Sequence, residues 1–215
     1  MFAVVDCDNC YVSCERVFHP ECKGVPVVVL SNNDGCVVAR SNEAKQLGIK
    51  AGLPYYQMLQ QFPNVDIKAF SSNYELYDEL TSRVVRIISE EAPAYYRYSI
   101  DEAFCMLDGI KNPKEWGENL HKRVMKGVGL PVSIGIGATK TLAKLASHFA
   151  KKFPGYNHSC VIATEEQRVK ALKLYPIEDV WGIGRQYAAK FQNIGIRKLF
   201  GAFQSRHTGI AEKVG

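Results

Sequence analysis

No stretch of this sequence approaches the roughly 18–20 consecutive apolar residues that a membrane span requires, and the longest strand-like apolar run is only Pro26–Leu30. Low-complexity tracts, internal repeats and long linkers are missing too, which excludes collagen-like, repeat and disordered scaffold architectures. A secretory signal would need an apolar core where Asp6 and Asp8 stand. The expectation is a cytoplasmic protein with no membrane partner. Cysteine is not scarce, but its seven copies make an odd number, and Cys7-x-x-Cys10 is followed by no second CxxC or His pair at ligand spacing. The thiols are therefore read as reduced, forming neither a disulfide framework nor a zinc site.

What is present is ordinary for a globular protein: 215 residues, 47% of them hydrophobic and 23% charged. The charge is unevenly spread. Residues 1–110 carry 9 Lys/Arg against 15 Asp/Glu, whereas residues 111–215 carry 18 against 7. An acidic half followed by a basic half points to cation chemistry in the first and a polyanionic partner in the second.

Along the chain, Phe2–Cys7 reads as a buried strand ending in Asp6 and Asp8, followed by a short helix from about Tyr11 to Val17. Pro26–Ser31 and Cys36–Arg40 read as strands joined by an Asp34-Gly35 turn. Ser41 caps a helix to Leu47, stopped by Gly48, and Pro54 opens another from its first turn to about Gln61. Ser71 or Ser72 is expected to cap a long helix through Glu91, with Leu76, Leu80, Val84, Ile87 and Ile88 as its apolar stripe. Tyr95–Ile100 and Ala103–Leu107 read as strands around the acidic turn Asp101-Glu102. Pro113–Lys126 is helix, Val132–Gly137 strand and Thr139–Lys152 helix; beyond about residue 165 the pattern is helical throughout.

With residues 12–70 set aside as an insertion, the order is β, α, β, β, α, β, the ferredoxin-like arrangement of an α+β protein. Its first and third strands are antiparallel neighbours. The end of the first strand, with Asp6, therefore meets the turn carrying Asp101 and Glu102, 95 residues away. Carboxylates packed together repel unless protons or cations neutralise them. Hard oxygen donors with open positions suit Mg²⁺, and a pair of such ions can serve an in-line phosphoryl displacement.

Val5-Asp-Cys-Asp-Asn-Cys-Tyr11, Ser99-Ile-Asp-Glu-Ala-Phe104 and Val132-Ser-Ile-Gly-Ile-Gly137, in this order and spacing, resemble the Y-family translesion DNA polymerases. Ser31-Asn-Asn-Asp-Gly-Cys-Val-Val-Ala-Arg40 and Phe70-Ser-Ser-Asn-Tyr-Glu-Leu-Tyr77 resemble its UmuC-like branch. The resemblance implies a catalytic palm over residues 1–10 and 72–165, fingers over 11–71 and a helical thumb over 166–215. It implies Asp6, Asp101 and Glu102 as ligands of two Mg²⁺ ions, with Mn²⁺ as an alternative, joined by the Cys7 backbone carbonyl; Asp8 supports them. Tyr11 falls at the steric-gate position under the incoming sugar. Asn42, Lys45 and Lys151 match positions that contact the triphosphate, although many relatives carry Tyr and Arg in place of the first two. The substrates so implied are primer–template DNA and a dNTP, and the partners are a UmuD-type subunit, RecA and the sliding clamp.

Val180–Gly195 resembles a helix–hairpin–helix, within about residues 177–195. Gly182, Ile183 and Gly184 would let backbone N–H groups approach a DNA phosphate, and Arg185, Lys190, Arg197 and Lys198 add charge around them. Relatives continue past the position of Gly215 into the rest of the thumb and a little-finger domain, so the chain is expected to be a fragment lacking both. The reading is a DNA-directed DNA polymerase acting in damage tolerance and SOS mutagenesis. Its rival is a non-catalytic DNA-binding fragment that uses the hairpin alone.

Overall fold

The computed structural model describes residues 1–205; residues 206–215 of the expected thumb lie outside the described residues. The fold is mixed α/β. In chain order its elements are β1 (Phe2–Cys7), α1 (Cys10–Phe18), β2 (Val27–Leu30), β3 (Val37–Arg40), α2 (Asn42–Gln46), α3 (Tyr55–Gln61), β4 (Lys68–Phe70) and α4 (Tyr74–Glu91). There follow β5 (Ala94–Arg97), β6 (Glu102–Met106), α5 (Pro113–Gly127), β7 (Val132–Gly137), α6 (Lys140–Lys152), β8 (Ser159–Ile162), α7 (Glu165–Leu174), α8 (Arg185–Asn193) and α9 (Leu199–Ser205). Among the described residues no helix is long and apolar enough to cross a membrane.

A five-stranded sheet has the order β5-β6-β1-β7-β8. Its first four strands stand in the order a ferredoxin-like run requires, with β1 beside β6. The fifth strand is an addition to that expectation: β8 extends the sheet by pairing parallel to β7, from Ile134 opposite Ser159 to Gly137 opposite Ile162. A three-stranded sheet, β3-β2-β4, holds the two expected strands and a second addition. Here β2 is antiparallel to β3, with a register shift between Val29 and Leu30, and parallel to β4.

The chain divides into two compact units. One comprises Asp6–Ala103 and Asn119–Val132. Its three-stranded sheet packs Val28, Leu30, Val37, Ala44, Ile49 and Met58 into an apolar cluster. Ser41 caps α2 as expected, its hydroxyl accepting from Ala44 N at 3.1 Å. Pro54 stands just before α3, as its N-cap, rather than inside the first turn. The cap of α4 is Asn73, whose side-chain oxygen accepts from Leu76 N at 3.1 Å. The hydroxyls of the expected caps are committed elsewhere, Ser71 to Asp34 at 3.0 Å and Ser72 to Asn32 at 2.9 Å. The buried stripe of α4 is also rotated from the expected one. Tyr77, Leu80, Thr81, Val84 and Ile88 are buried, whereas Leu76 and Ile87 are only partly so. Tyr77 and Thr81 turn inward because their hydroxyls find partners there, Glu15 and the Tyr77 carbonyl.

The other unit comprises Met1–Val5, Phe104–Glu118 and, among the described residues, 133–205. Its core joins Leu145, Ala146, Phe149 and Ala150 of α6 to Cys160, Ile162, Ala171, Leu172, Tyr175 and Ile177. In β7, Gly135 and Gly137 let α6 approach the strand backbone. A Cβ on Gly135 would intrude on the Ser147 backbone nitrogen and the Ala143 carbonyl, and one on Gly137 would meet Leu142 Cβ at 2.7 Å. Because backbone, not a flexible side chain, fills the space behind Gly135, Gly135→Ala should destabilise the fold by about 3 kcal/mol or more. Thermal or urea unfolding of that variant beside the parent checks this; an unchanged midpoint would show that α6 can retreat freely.

Candidate active site

The acidic site lies entirely within the unit that contains residues 6–103. At one end of the β1–β6 pair Cys7 N donates to the Asp101 carbonyl at 2.9 Å, and at the other Leu107 N donates to the Met1 carbonyl at 2.9 Å. These bonds define an antiparallel register that sets Asp6 opposite Glu102. The turn between β5 and β6 is closed by Tyr98 N and Ser99 N, which both donate to the Glu102 carbonyl, at 2.9 and 3.2 Å. Ser99 Oγ donates to Asp101 Oδ1 at 2.7 Å. Asp6, Asp101 and Glu102 are all half-buried. The structure thus brings the three carboxylate-bearing residues to one end of a strand pair, where like charges face each other.

The donors fit a hard divalent cation in kind: carboxylate oxygens from adjacent strands, with no imidazole among them. The Cys7 thiol is engaged otherwise. Its hydrogen bond with Cys10, then burial, then the charges of Cys10 and Asp6 hold it well above the ordinary thiol range. Cys14 is raised as well, by its bond with Cys10 and by burial. The Cys7 thiol is thus buried and paired with Cys10, and the expected role of Cys7 is one of its main chain alone. Among the described residues no three His, Cys, Asp or Glu side chains stand as a group able to hold a metal by themselves. A cation here would complete its shell with water and substrate oxygens. Asp8 is anchored through its main chain: its N–H donates to Pro131 O at 2.9 Å, and its carbonyl accepts from Ser13 Oγ at 2.5 Å.

After Asp8 the chain reverses through Asn9, at φ 48° and ψ 44°, a left-handed conformation that asparagine tolerates well. That turn starts α1 and places Tyr11 in its first turn. The Tyr11 ring is half-buried; burial first, then the charges of Tyr74, Cys10 and Asp101, raise its hydroxyl above the ordinary range. Asn9 itself, which sequence reasoning passes over, reaches the exposed pair Asn42 and Lys45 on α2. Asn9 Nδ2 donates to Asn42 Oδ1 at 3.0 Å, and Lys45 Nζ donates to Asn9 Oδ1 at 2.5 Å. Arg16, about two helical turns further along, ties α1 to the same helix through Glu43 at 3.0 Å.

Arg97, on β5, is a second residue missed from sequence. Its guanidinium donates to Asp78 Oδ1 at 2.7 Å, Thr81 Oγ1 at 3.0 Å and Ser82 Oγ at 3.2 Å on α4, and to the Ser99 carbonyl at 3.4 Å. It therefore braces the acidic turn against α4, beside a cleft of about 320 Å³ lined by Asp78, Arg97, Tyr98, Ser99 and Ile100. The sequence signal, one Arg before an acidic turn, is too common to single out.

The remaining expected residues belong to the other unit. Lys151 lies exposed in the last turn of α6, where a cation also complements the helix dipole. Before Gly182 the chain makes a single 3-10 turn, Ile177–Asp179, and after Gly184 Arg185 opens α8. Gly182 has φ 89°, a value favouring glycine, and Ile183 N donates to Val180 O at 2.8 Å. Gly182, Gly184, Arg185 and Lys190 are exposed, and Lys190 Nζ lies 5.4 Å from the Tyr187 ring centre.

Comparison with known proteins gives a consistent result. The model of the IMS (impB/mucB/samB) family matches residues 5–148. The chain is similar to Protein UmuC of Salmonella typhimurium, at 46% identity over 201 residues, 92% of this chain and 48% of that protein. To Protein ImpB of Salmonella typhimurium it is 42% identical over 201 residues, 91% of this chain and 47% of the other. The chain spans about half the length of these curated relatives. Among solved structures, the insertion ternary complex of Dbh DNA polymerase matches with a TM-score of 0.83 at 26% identity, covering 100% of this chain and 63% of that one.

Arg97→Ala should cost about 1 kcal/mol of stability, the usual hydrogen-bond values being reduced by partial exposure. It should also speed amide exchange at Tyr98 and Ser99; exchange at the parent rate would show the turn to be self-supporting. The thiols make a separate expectation. Six of the seven cysteines are buried and Cys36 is partly exposed, so iodoacetamide should modify Cys36 fast in the native chain and the others only on unfolding, as peptide mass spectrometry would show.

Proposed function

The chain belongs to the impB/mucB/samB family, and from that membership we propose that it is the catalytic part of a DNA-directed DNA polymerase of the translesion type. The observation that carries the reading is the Cys7–Asp101 backbone bond, which brings Asp6 opposite Glu102 at the end of the strand pair. In the proposed reaction the 3′-hydroxyl of a primer attacks the α-phosphate of a dNTP, a phosphoester bond forms, and pyrophosphate leaves. Residues 1–10 and 72–165 would act as palm, 11–71 as fingers and 166–215 as part of a thumb.

Asp6, Asp101, Glu102 and the Cys7 carbonyl would hold two Mg²⁺ ions, or Mn²⁺ in their place. Such a pair lowers the pKa of the attacking hydroxyl and neutralises charge on the leaving oxygens. The chain's own contribution is positioning and electrostatics. Ser99 holds the Asp101 carboxylate in one orientation through its hydroxyl. Asn42 and Lys45, oriented by Asn9, would receive the triphosphate, and by the family resemblance Lys151 on α6 would be a phosphate-contacting position too. Tyr11 would lie against the sugar and exclude a 2′-hydroxyl.

The Gly182–Gly184 hairpin, with Arg185 and Lys190, would grip the DNA backbone without regard to sequence, and its hold would weaken with salt. The place of work so implied is the cytoplasm, in SOS mutagenesis, with a UmuD-type subunit, RecA and the sliding clamp as partners.

The test is single-nucleotide primer extension at low salt with Mg²⁺. The parent chain should incorporate the templated dNTP, and the Asp101→Ala, Glu102→Ala double variant should lose at least about a thousand-fold in rate, the scale of removing transition-state charge stabilisation. DNA binding without incorporation by the parent would instead leave a binding fragment.

A further inference from the structure

Tyr77 is fully buried, 0% exposed, although it comes from the first turn of α4 and carries a hydroxyl. Two residues of α1 account for this. The Tyr77 ring lies under that of Tyr11, with centroids 4.5 Å apart and planes 15° from parallel. Its hydroxyl donates to Glu15 Oε1 at 2.6 Å in a buried bond. Tyr11 and Glu15 are one helical turn apart, so α1 grips the Tyr77 ring by its face and by its tip at once. Tyr74 closes the group edge-on, 5.6 Å and 84° from Tyr11 and 6.0 Å and 81° from Tyr77.

An aromatic side chain has two soft torsions, and a half-exposed one moves readily between rotamers. A ring that distinguishes two sugars by a single hydroxyl must not do so. Discrimination is then a property of whatever fixes the ring, as much as of the ring itself. Beneath Tyr11 the support is rigid: Tyr77 is held along the helix by Tyr77 N to Asn73 O at 3.1 Å, and its carbonyl accepts from Thr81 Oγ1 at 2.8 Å. Burial first, and then the Glu15 carboxylate, keep the Tyr77 hydroxyl well above its ordinary range, so the phenol retains its proton and remains a donor.

We propose that Tyr77, anchored by Glu15, is a positioning residue that sets sugar specificity by fixing the Tyr11 ring. The inference rests on the reading of this chain as a polymerase with Tyr11 against the sugar, and it adds the structural element on which that selectivity depends.

The measurement is the ratio of kcat/KM for a ribonucleotide to that for the matching deoxynucleotide, in single-nucleotide primer extension by the full chain. Tyr77→Leu removes the platform and should raise the ratio about ten-fold or more, the scale on which pocket shape discriminates. Tyr77→Phe and Glu15→Gln keep a ring in place but weaken or remove the buried bond, and should raise it by about three-fold, as a single hydrogen bond would. In a Tyr11→Ala background, Tyr77→Leu should change the ratio no further, because the ring through which it acts is gone.

A parental ratio in a Tyr77→Leu variant that still incorporates deoxynucleotides would overturn the inference and leave the polymerase reading intact. So would an equal rise in the Tyr11→Ala background. If Tyr77→Leu does not fold, parental ratios in both Tyr77→Phe and Glu15→Gln overturn it. Failure of the parent chain to incorporate either sugar defeats the polymerase reading itself, and this inference with it.

Discussion

The acidic site depends on a neutral interaction, the backbone bond from Cys7 N–H to the Asp101 carbonyl. Three carboxylates do not assemble through their own charges, which repel. They are gathered by a strand pair whose other residues want to be together: Val4 and Val5 on β1 and Ala103, Phe104 and Cys105 on β6 are all buried. Apolar burial and ladder hydrogen bonds hold the pair, and the charged residues occupy its last rungs. Placing them there, half-buried rather than deep, keeps the penalty of unneutralised charge small.

A second constraint radiates from the same strand end. The left-handed turn at Asn9 converts β1 into α1 within three residues of Asp6. One short segment thus carries an acidic floor residue, an amide that orients Asn42 and Lys45, and the aromatic ring of Tyr11. A lysine ammonium is a point charge on a flexible stem and lacks the planar fork of arginine. The Asn9 side-chain carbonyl supplies part of the missing order, by giving Lys45 Nζ a fixed acceptor at the start of α1.

Much of this is legible in the amino-acid order, and what is not has definite causes. Asp6, Asp101 and Glu102 can be joined from the chain alone because the βαββαβ order makes β1 and β6 neighbours, and topology is a stronger constraint than local pattern. The strands β4 and β8 escape because, unlike the comparably short β2 and β3, they are not joined by an Asp-Gly turn that marks them. Asn73 is hidden as a cap because the serines before it look equally able, and only the fold shows Asp34 and Asn32 claiming them. The stripe of α4 reads one residue off because a hydropathy pattern treats tyrosine and threonine as outward-facing. Whether Tyr77 turns inward depends on Glu15, 62 residues earlier. A tertiary partner of that kind has no signature in local sequence.

On the proposed polymerase reading, the uneven charge of the chain would follow from the same chemistry. A nucleotide triphosphate and a nucleic-acid backbone are both polyanions, and an acidic floor would repel them if it stood alone. Two devices resolve the conflict. Divalent cations held by the carboxylates would offset their repulsion of a phosphate. Basic residues kept in other segments, 18 Lys/Arg against 7 Asp/Glu beyond residue 110, would then serve the parts of such a substrate that no ion reaches. A uniform distribution of the same net charge of +5 would serve neither need. On that reading, the separation is what handling a polyanion with acidic ligands would require.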